Sequence, residues 1–175
     1  LSPIIDPPAE AVGLDGIEKI IKDEGLVRAY KDGNDKEARW NMMMASTEGA
    51  MAFSKGLGAV HSMSHAIGAN QQLNLHHGTL NAVILPTVLK FNRNHIENKY
   101  SRIATAMGIN QTVDLADEIR KLNELIGIPS GLAQMGVTED MIPKLVKHAI
   151  TDPSNLTTPR LPNQEEWEKL FLESM

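Results

Sequence analysis

Apolar residues recur every three or four positions along most of this chain, and this spacing places them on one face of an α-helix. The first helix is predicted at about residues 8–23, with proline in its first turn, where proline is favoured. We expect Gly25 to end or bend this helix. A second helix is predicted from a polar turn at 32–34 to about Phe53, with Asn34 as its N-cap.

The glycine-rich segment 55–58 predicts a hinge before a short helix that carries His61 and His65. Residues 70–76 are polar and are predicted to be irregular. Further helices are predicted at residues 78–91, 97–107, 113–125, 138–150 and 164–174. The first of these contains Pro86, which is expected to kink it. The pattern therefore predicts an all-α, helical-bundle-like domain with almost no strand.

Composition places the chain among ordinary globular proteins. Its 175 residues are 42% hydrophobic and 22% charged, with a net charge of −5, so a single domain is expected. There is no basic stripe of the kind that nucleic acid requires, and no run of about 20 apolar residues that would span a membrane. Since no signal segment opens the chain, we expect a cytoplasmic protein.

Histidine is the residue type that points to chemistry. The chain has no cysteine, which excludes disulfides and thiolate ligands, so any metal must be bound by His and carboxylate side chains. Four of the six His residues fall between positions 61 and 77. A single His is most often structural, and we interpret His95 and His148 in that way. The methionine run at 42–44 is interpreted as core packing.

His61 and His65 are four residues apart, so a helix projects both from the same face. Zinc proteases share this spacing, but they carry a glutamate directly after the first His. Here that position is Ser62, which argues against a protease. The clustering of four histidines around two glycine-flanked turns still favours a functional site over a structural role.

The segments 58–68 (GAVHSMSHAIG) and 75–86 (LHHGTLNAVILP) resemble the signature of the iron-containing (group III) alcohol dehydrogenases, which share the dehydroquinate synthase-like fold. The resemblance implies that His61 and His77 are metal ligands. It also implies that His65 is the active-site histidine, close to the nicotinamide cofactor and the substrate. His76 stands where many members have proline, and His77 is preferred as the ligand because a glycine follows it.

Further expectations follow from the resemblance. Residues 1–175 would form the C-terminal metal-binding helical domain of an enzyme whose nucleotide-binding α/β domain precedes it. An Asp-x-x-x-His pair in that missing part would complete the metal site. The expected cofactors are Fe²⁺, with Zn²⁺ or another divalent metal as alternatives, and NAD or NADP bound mainly by the missing domain. A homo-oligomer, specifically a dimer, is also expected.

The activity implied is the interconversion of an alcohol or hydroxyacid with its aldehyde or ketone. His65 would either relay a proton from the substrate oxygen or hold the substrate or cofactor in place. Phe53 and Lys55 are candidates to line the pocket, with Lys55 interpreted as a solvated surface residue. Two alternatives stay open: a non-catalytic helical metal-binding module, and a metal-dependent lyase or hydrolase of the dehydroquinate synthase-like type.

Overall fold

A computed structural model describes the backbone of residues 1–175 and all side chains except those of residues 97 and 98. No strand occurs in the described backbone, so the predicted all-α fold is confirmed. The helices are α1 (Pro7–Ile21), α2 (Gly25–Lys31), α3 (Lys36–Met51), α4 (Ala59–Gly68), α5 (His77–Asn92), α6 (Glu97–Ala106), α7 (Leu115–Leu125), α8 (Ile142–Thr151) and α9 (Gln164–Glu173). None of the described helices is both long and apolar enough to cross a membrane.

The segment between α1 and α3 departs from the prediction. Asp23 and Glu24 have positive φ values of 51° and 56°, which break the helix after Ile21. The chain then forms α2, a helix that the sequence pattern did not predict. Gly25 begins α2 rather than ending α1, and a Cβ at this position would lie 2.5 Å from the carbonyl oxygen of Lys19.

The N-cap of α3 is Asp35, not the predicted Asn34. The Asp35 side chain accepts a hydrogen bond from the backbone N–H of Ala38 at 3.0 Å. The same carboxylate accepts two hydrogen bonds from Arg28 of α2, at 2.9 and 3.1 Å. Asp35 therefore caps α3 and ties it to α2.

The α1–α3 contact is built from small residues. Ala38 and Ala45 define the buried face of α3, and Gly16 of α1 comes so close that an added Cβ would lie 3.3 Å from the Cβ of Glu48. Met43 lies on the opposite side of α3 and is 67% exposed. The interpretation of the methionine run as core is therefore wrong at this position.

Helices α4, α5, α8 and α9 enclose the main hydrophobic core. Its largest fully buried side chains are Met63, Ile67, Leu80, Ile84, Trp167 and Phe171. A second cluster forms around Tyr100 from residues of α5, α6 and α7, with Ile17 and Ile21 of α1 packed against it. Each such side chain contributes roughly 1.5–3 kcal/mol on burial. Since α4 and α5 both pack in the main core, the backbone positions of the histidines they carry are fixed by that packing.

Candidate metal and active site

Helix α4 presents His61 and His65 on one face. The helix begins after Gly58, whose carbonyl oxygen accepts the first helical hydrogen bonds from His61 and Ser62. Ser62 and Met63 face the interior and are fully buried. His61 and His65 lie on the other side of the helix, with ring centroids 5.7 Å apart.

Helix α5 adds the third imidazole at its first residue. The ring centroid of His77 lies 5.3 Å from that of His61 and 5.4 Å from that of His65, and it is nearly parallel to the His65 ring. The neighbouring His76 has a different task, because its Nδ1 atom accepts a hydrogen bond from the backbone N–H of Thr79 and caps α5. The structure therefore brings His61, His65 and His77 together and directs His76 elsewhere.

Asn81 lies one turn after His77 and contacts two of the rings. Its Nδ2 atom is 3.1 Å from Nε2 of His77 and 3.4 Å from Nε2 of His61. Its Oδ1 atom is buried and has no hydrogen-bond partner among the described residues. Asn81 belongs to the segment 75–86 that carries the resemblance, but no role was predicted for it, although its spacing of four residues from His77 is a signal that could have indicated one.

His65 is anchored by a residue far away in the sequence. Its Nδ1 atom lies 3.0 Å from Oδ2 of Asp152, which follows α8. Next to it, the hydroxyl of Ser62 donates to Oδ1 of Asn155 at 2.7 Å. Neither Asp152 nor Asn155 could be assigned to the site from the sequence, because nothing in the local pattern connects the segment after α8 with α4.

The electrostatic environment favours the neutral form of His61. Burial lowers the pKa of His61, and the nearby His77 and His65 lower it further, while Asp152 acts in the opposite direction. For Asp152, burial alone would raise the pKa, but hydrogen bonds from Ser154 and His65 outweigh it, and the pKa ends below its usual value. Because the ionised carboxylate can only accept, Nδ1 of His65 must be the donor.

The imidazole nitrogens of this site provide part of what a divalent transition metal needs from its ligands. Neutral imidazoles are good ligands for Fe²⁺, Zn²⁺ and related ions, and the Nε2 atoms of His61 and His77 both point to the amide of Asn81. The unpaired Oδ1 of that amide marks a polar spot that the described residues do not satisfy. Among the described side chains, no group of three or more His, Asp or Glu is arranged to hold a metal ion.

A large apolar cavity opens beside His61. Its volume is about 550 Å³, and it lies between α1, α4, α5 and α6. Apolar side chains dominate its wall, among them Leu14, Ile17, Leu85, Leu89 and Ile103. Phe53 is also part of the wall, and its ring lies edge-on to His61 at 6.4 Å.

Lys55 lines the same cavity but is not the surface residue that was expected. It is only 8% exposed, and its ammonium group lies 2.7 Å from Oε1 of Glu10 and also contacts the carbonyl oxygen of Ile4. Burial is tolerated because the charge is paired. The interpretation of Lys55 as a solvated lysine is therefore wrong.

An all-helical domain with three clustered imidazoles, one of which lines an apolar cavity, has the features of a metalloenzyme domain. The family model for the "Fe-containing alcohol dehydrogenase family, C-terminal" matches residues 6–175, and the chain belongs to this family. This finding confirms the resemblance noted in the sequence.

Known relatives agree with the family assignment. The chain is 41% identical to a 4-hydroxybutyrate dehydrogenase of Cupriavidus necator, over all of this chain and 47% of that protein. It is 34% identical to an NADPH-dependent butanol dehydrogenase of Clostridium saccharobutylicum, over 97% of this chain and 44% of that protein. A solved 1,3-propanediol oxidoreductase superimposes with a TM-score of 0.93 at 31% identity, covering 99% of this chain and 47% of that one. The chain thus spans about half the length of the relatives it matches.

Proposed function

We propose that this chain is the metal-binding half of a dehydrogenase that interconverts an alcohol or hydroxyacid with its aldehyde or ketone, using NAD or NADP. The observation that carries the proposal is the convergence of His61, His65 and His77 beside an apolar cavity, with two Nε2 atoms sharing one hydrogen-bond donor. The names of the relatives support an oxidoreductase acting on small alcohols.

In this proposal His61 and His77 are the metal ligands. Both offer Nε2 towards the same point, and the lowered pKa of His61 leaves its ring neutral, as a ligand must be. His76 is not assigned as a ligand, because its Nδ1 atom caps α5 and its ring does not join the cluster of His61, His65 and His77. A divalent ion, with Fe²⁺ favoured by the family, supplies Lewis-acid chemistry when bound, and the nicotinamide exchanges a hydride.

His65 is proposed to act next to the metal ligands without binding the ion. Because Nδ1 donates to Asp152, a neutral His65 carries its lone pair on Nε2 and can accept a proton there from the substrate hydroxyl. The nearly parallel His77 ring, 5.4 Å away, supports this role because His77 is one of the two proposed ligands. His65 would also lie where it can bind the cofactor or the substrate.

We further propose that residues outside this chain complete the site and bind the dinucleotide. The relatives are about twice as long, and the two imidazole ligands bring no negative charge to balance a divalent cation. The homodimer and the cytoplasmic location expected from the sequence stay predictions.

A pair of adjacent substitutions tests the proposal in the full-length protein that contains this chain. We expect the purified enzyme to contain stoichiometric metal and to reduce NAD or NADP with a small alcohol or hydroxyacid, 4-hydroxybutyrate being the first to try. His77→Ala should abolish both properties. His76→Ala should keep them, while lowering the free energy of unfolding by about 0.5–2 kcal/mol through loss of a helix cap.

The neighbouring position serves as the matched control, because both variants remove an imidazole from the start of the same helix. If His76→Ala removes the metal and His77→Ala keeps it, the ligand assignment is wrong. If the full-length enzyme holds the metal but oxidises no alcohol or hydroxyacid, the dehydrogenase function is wrong.

A further inference from the structure

Basic side chains form a cluster in the wall of the cavity beside His61. Among the described residues that line this cavity, three side chains are basic, Lys55, Lys99 and Arg102, and one is acidic, Glu10. Each of the three cations has a nitrogen within 3.9 Å of a Glu10 oxygen, so the cations lie together. Positive side chains therefore exceed negative ones by two at one place in a wall that is otherwise mostly apolar.

Glu10 cannot balance the whole cluster. One of its oxygens, Oε1, lies 2.7 Å from the ammonium group of Lys55, and the other accepts a hydrogen bond from Arg102. The ammonium nitrogen of Lys99 is 3.9 Å from Oε1, which is beyond hydrogen-bonding distance, and it donates instead to the neutral carbonyl oxygen of Ser2. Burial, and then the charge of Lys55, lower the pKa of Lys99, as expected for a cation without a close counter-charge.

An anion can reach the two more exposed members of the cluster. The side chain of Lys99 is 31% exposed and that of Arg102 is 51% exposed, whereas Lys55 is only 8% exposed. A carboxylate matches both groups, because it accepts charge-assisted hydrogen bonds from ammonium and guanidinium donors. Elsewhere in the same wall, apolar side chains such as Leu14 and Ile103 offer contacts to a short hydrocarbon chain. The wall thus combines a site for an anionic group with an apolar surface.

We propose that this cavity binds the carboxylate of a hydroxyacid substrate, and that Lys99 and Arg102 are the residues that select it over a neutral alcohol. The inference rests on the proposed function and narrows it, because the same cavity is also lined by His61, one of the proposed metal ligands. Lys55 has a different part, since it is buried and bonded to Glu10. An anionic substrate offsets the excess positive charge of the described side chains, whereas a neutral alcohol leaves it uncompensated.

Lys99→Gln in the full-length protein gives the main test. The amide can still donate to the carbonyl oxygen of Ser2, but the charge is gone. Two four-carbon substrates are compared, 4-hydroxybutyrate and the neutral 1,4-butanediol. We expect the KM for 4-hydroxybutyrate to rise about 10- to 100-fold, which corresponds to the loss of a hydrogen bond to a charged group, while the KM for the diol and both kcat values change little.

Lys90→Gln is the matched control. Lys90 is a partly exposed lysine that pairs with Asp117 at 3.0 Å, and it does not line the cavity. This change should leave the KM of both substrates unaltered. Arg102→Gln should repeat the selective effect, and it decides the question if Lys99→Gln does not fold. An equal loss of activity with both substrates would show that these side chains only hold the structure together, and it would overturn the proposal.

Binding of a carboxylate can also be measured without turnover. The probes are butyrate and its neutral analogue butyramide, titrated into the metal-free, chelator-treated full-length protein and followed by ligand-observed NMR. We expect butyrate to bind at least about tenfold more tightly than butyramide, and Lys99→Gln to reduce the difference. Equal binding of the two probes, or a difference that neither Lys99→Gln nor Arg102→Gln alters, would overturn the proposal. Because this measurement requires neither metal nor cofactor, its outcome is separate from that of the dehydrogenase function, which the activity assay tests.

Discussion

Asp152 shows how one side chain can organise several parts of the site. One of its oxygens lies 3.0 Å from Nδ1 of His65. The other accepts from the backbone N–H of Ser154 at 2.8 Å and lies 3.5 Å from the hydroxyl of Ser62. The Asp152 side chain is only 14% exposed. If it were removed, water could therefore not easily take over its hydrogen bonds to the surrounding groups.

Replacing Asp152 by alanine should therefore destabilise the chain. Loss of partners for half-buried polar groups typically costs about 1–3 kcal/mol, and we expect a decrease of that size in the free energy of unfolding measured with urea. Asp140→Ala is the control, because Asp140 is exposed and lies in a short 3₁₀ turn before α8. Equal stability of the two variants would show that Asp152 does not hold this part of the structure together.

At the residue scale, the sequence predicts what is local. The spacing of His61 and His65 predicts a shared face, and their rings do lie 5.7 Å apart. The sequence favours His77 over His76 as a ligand because a glycine follows it, and the structure adds that His76 caps α5. Asp152 is 87 residues from His65, so no periodicity connects the two.

At the level of elements, the predicted hinge at 55–58 is a point of close approach. Gly56 has φ 75° and ψ 179°, a conformation that only glycine adopts readily. An added Cβ would lie within 2.8 Å of the Cβ of Thr157 and closer still to its hydroxyl. That hydroxyl donates to the carbonyl oxygen of Leu57 at 2.6 Å, which ties the segment after α8 to the start of α4.

Gly56→Ala should lower the free energy of unfolding by about 1–3 kcal/mol, which is the usual cost of a strained backbone conformation. Gly49→Ala is the matched comparison, because Gly49 is helical and an added Cβ meets no atom within 4 Å. That change should instead stabilise the chain by up to about 1 kcal/mol. Thermal unfolding of both variants measures whether the two changes in stability have opposite signs. An increase in stability on Gly56→Ala would refute the argument.

Glu10 connects three elements through its charge. It lies on α1 and pairs with Lys55, before α4, and with Arg102 of α6. The hydrogen bond from Lys55 and then that from Arg102 lower the pKa of Glu10 from 4.5 to about 2. Since the folded chain binds this proton less readily, the stabilisation is fully present above about pH 4.5. It is lost as the pH falls towards about 2.

We therefore expect Glu10→Gln to flatten the dependence of stability on pH between about 2 and 4.5. Urea unfolding at several pH values in this window measures it. Glu18→Gln, on an exposed position of the same helix, is the control and should keep the slope of the unchanged chain. An identical slope in Glu10→Gln would mean that the carboxylate does not stabilise the fold through its charge.

Prediction of the elements succeeded where apolar periodicity was long and failed where the backbone changed direction. Helix α9 was predicted at 164–174 and extends from Gln164 to Glu173. Helix α2 was missed because Asp23 and Glu24 adopt a left-handed conformation that residues of this type seldom take. Packing of α2 against α3, fixed by the pair of Arg28 with Asp35, stabilises this break.

At the scale of the whole molecule, the family could be predicted from about thirty residues around the histidines, and the comparison with known proteins confirmed it. What the sequence could not supply is the geometry of the cavity, because its wall comes from segments spread over nearly the entire chain, from Leu1 to Pro159. The same holds for the burial of Lys55, which depends on Glu10, 45 residues earlier.

The last prediction concerns what this chain can do alone. We expect the isolated 175 residues to show no alcohol-dependent reduction of NAD or NADP and to bind Fe²⁺ weakly. The reason is that His61 and His77 offer two neutral ligands, and no group of three His, Asp or Glu is arranged for a metal among the described side chains. The chain also covers only 47% and 44% of two dehydrogenase relatives, so more than half of each of those proteins has no counterpart in it. Anaerobic titration with Fe²⁺ and an activity assay, each run beside the full-length protein, measure both properties. Tight stoichiometric binding or turnover by the isolated chain would mean that the site is already complete within these residues.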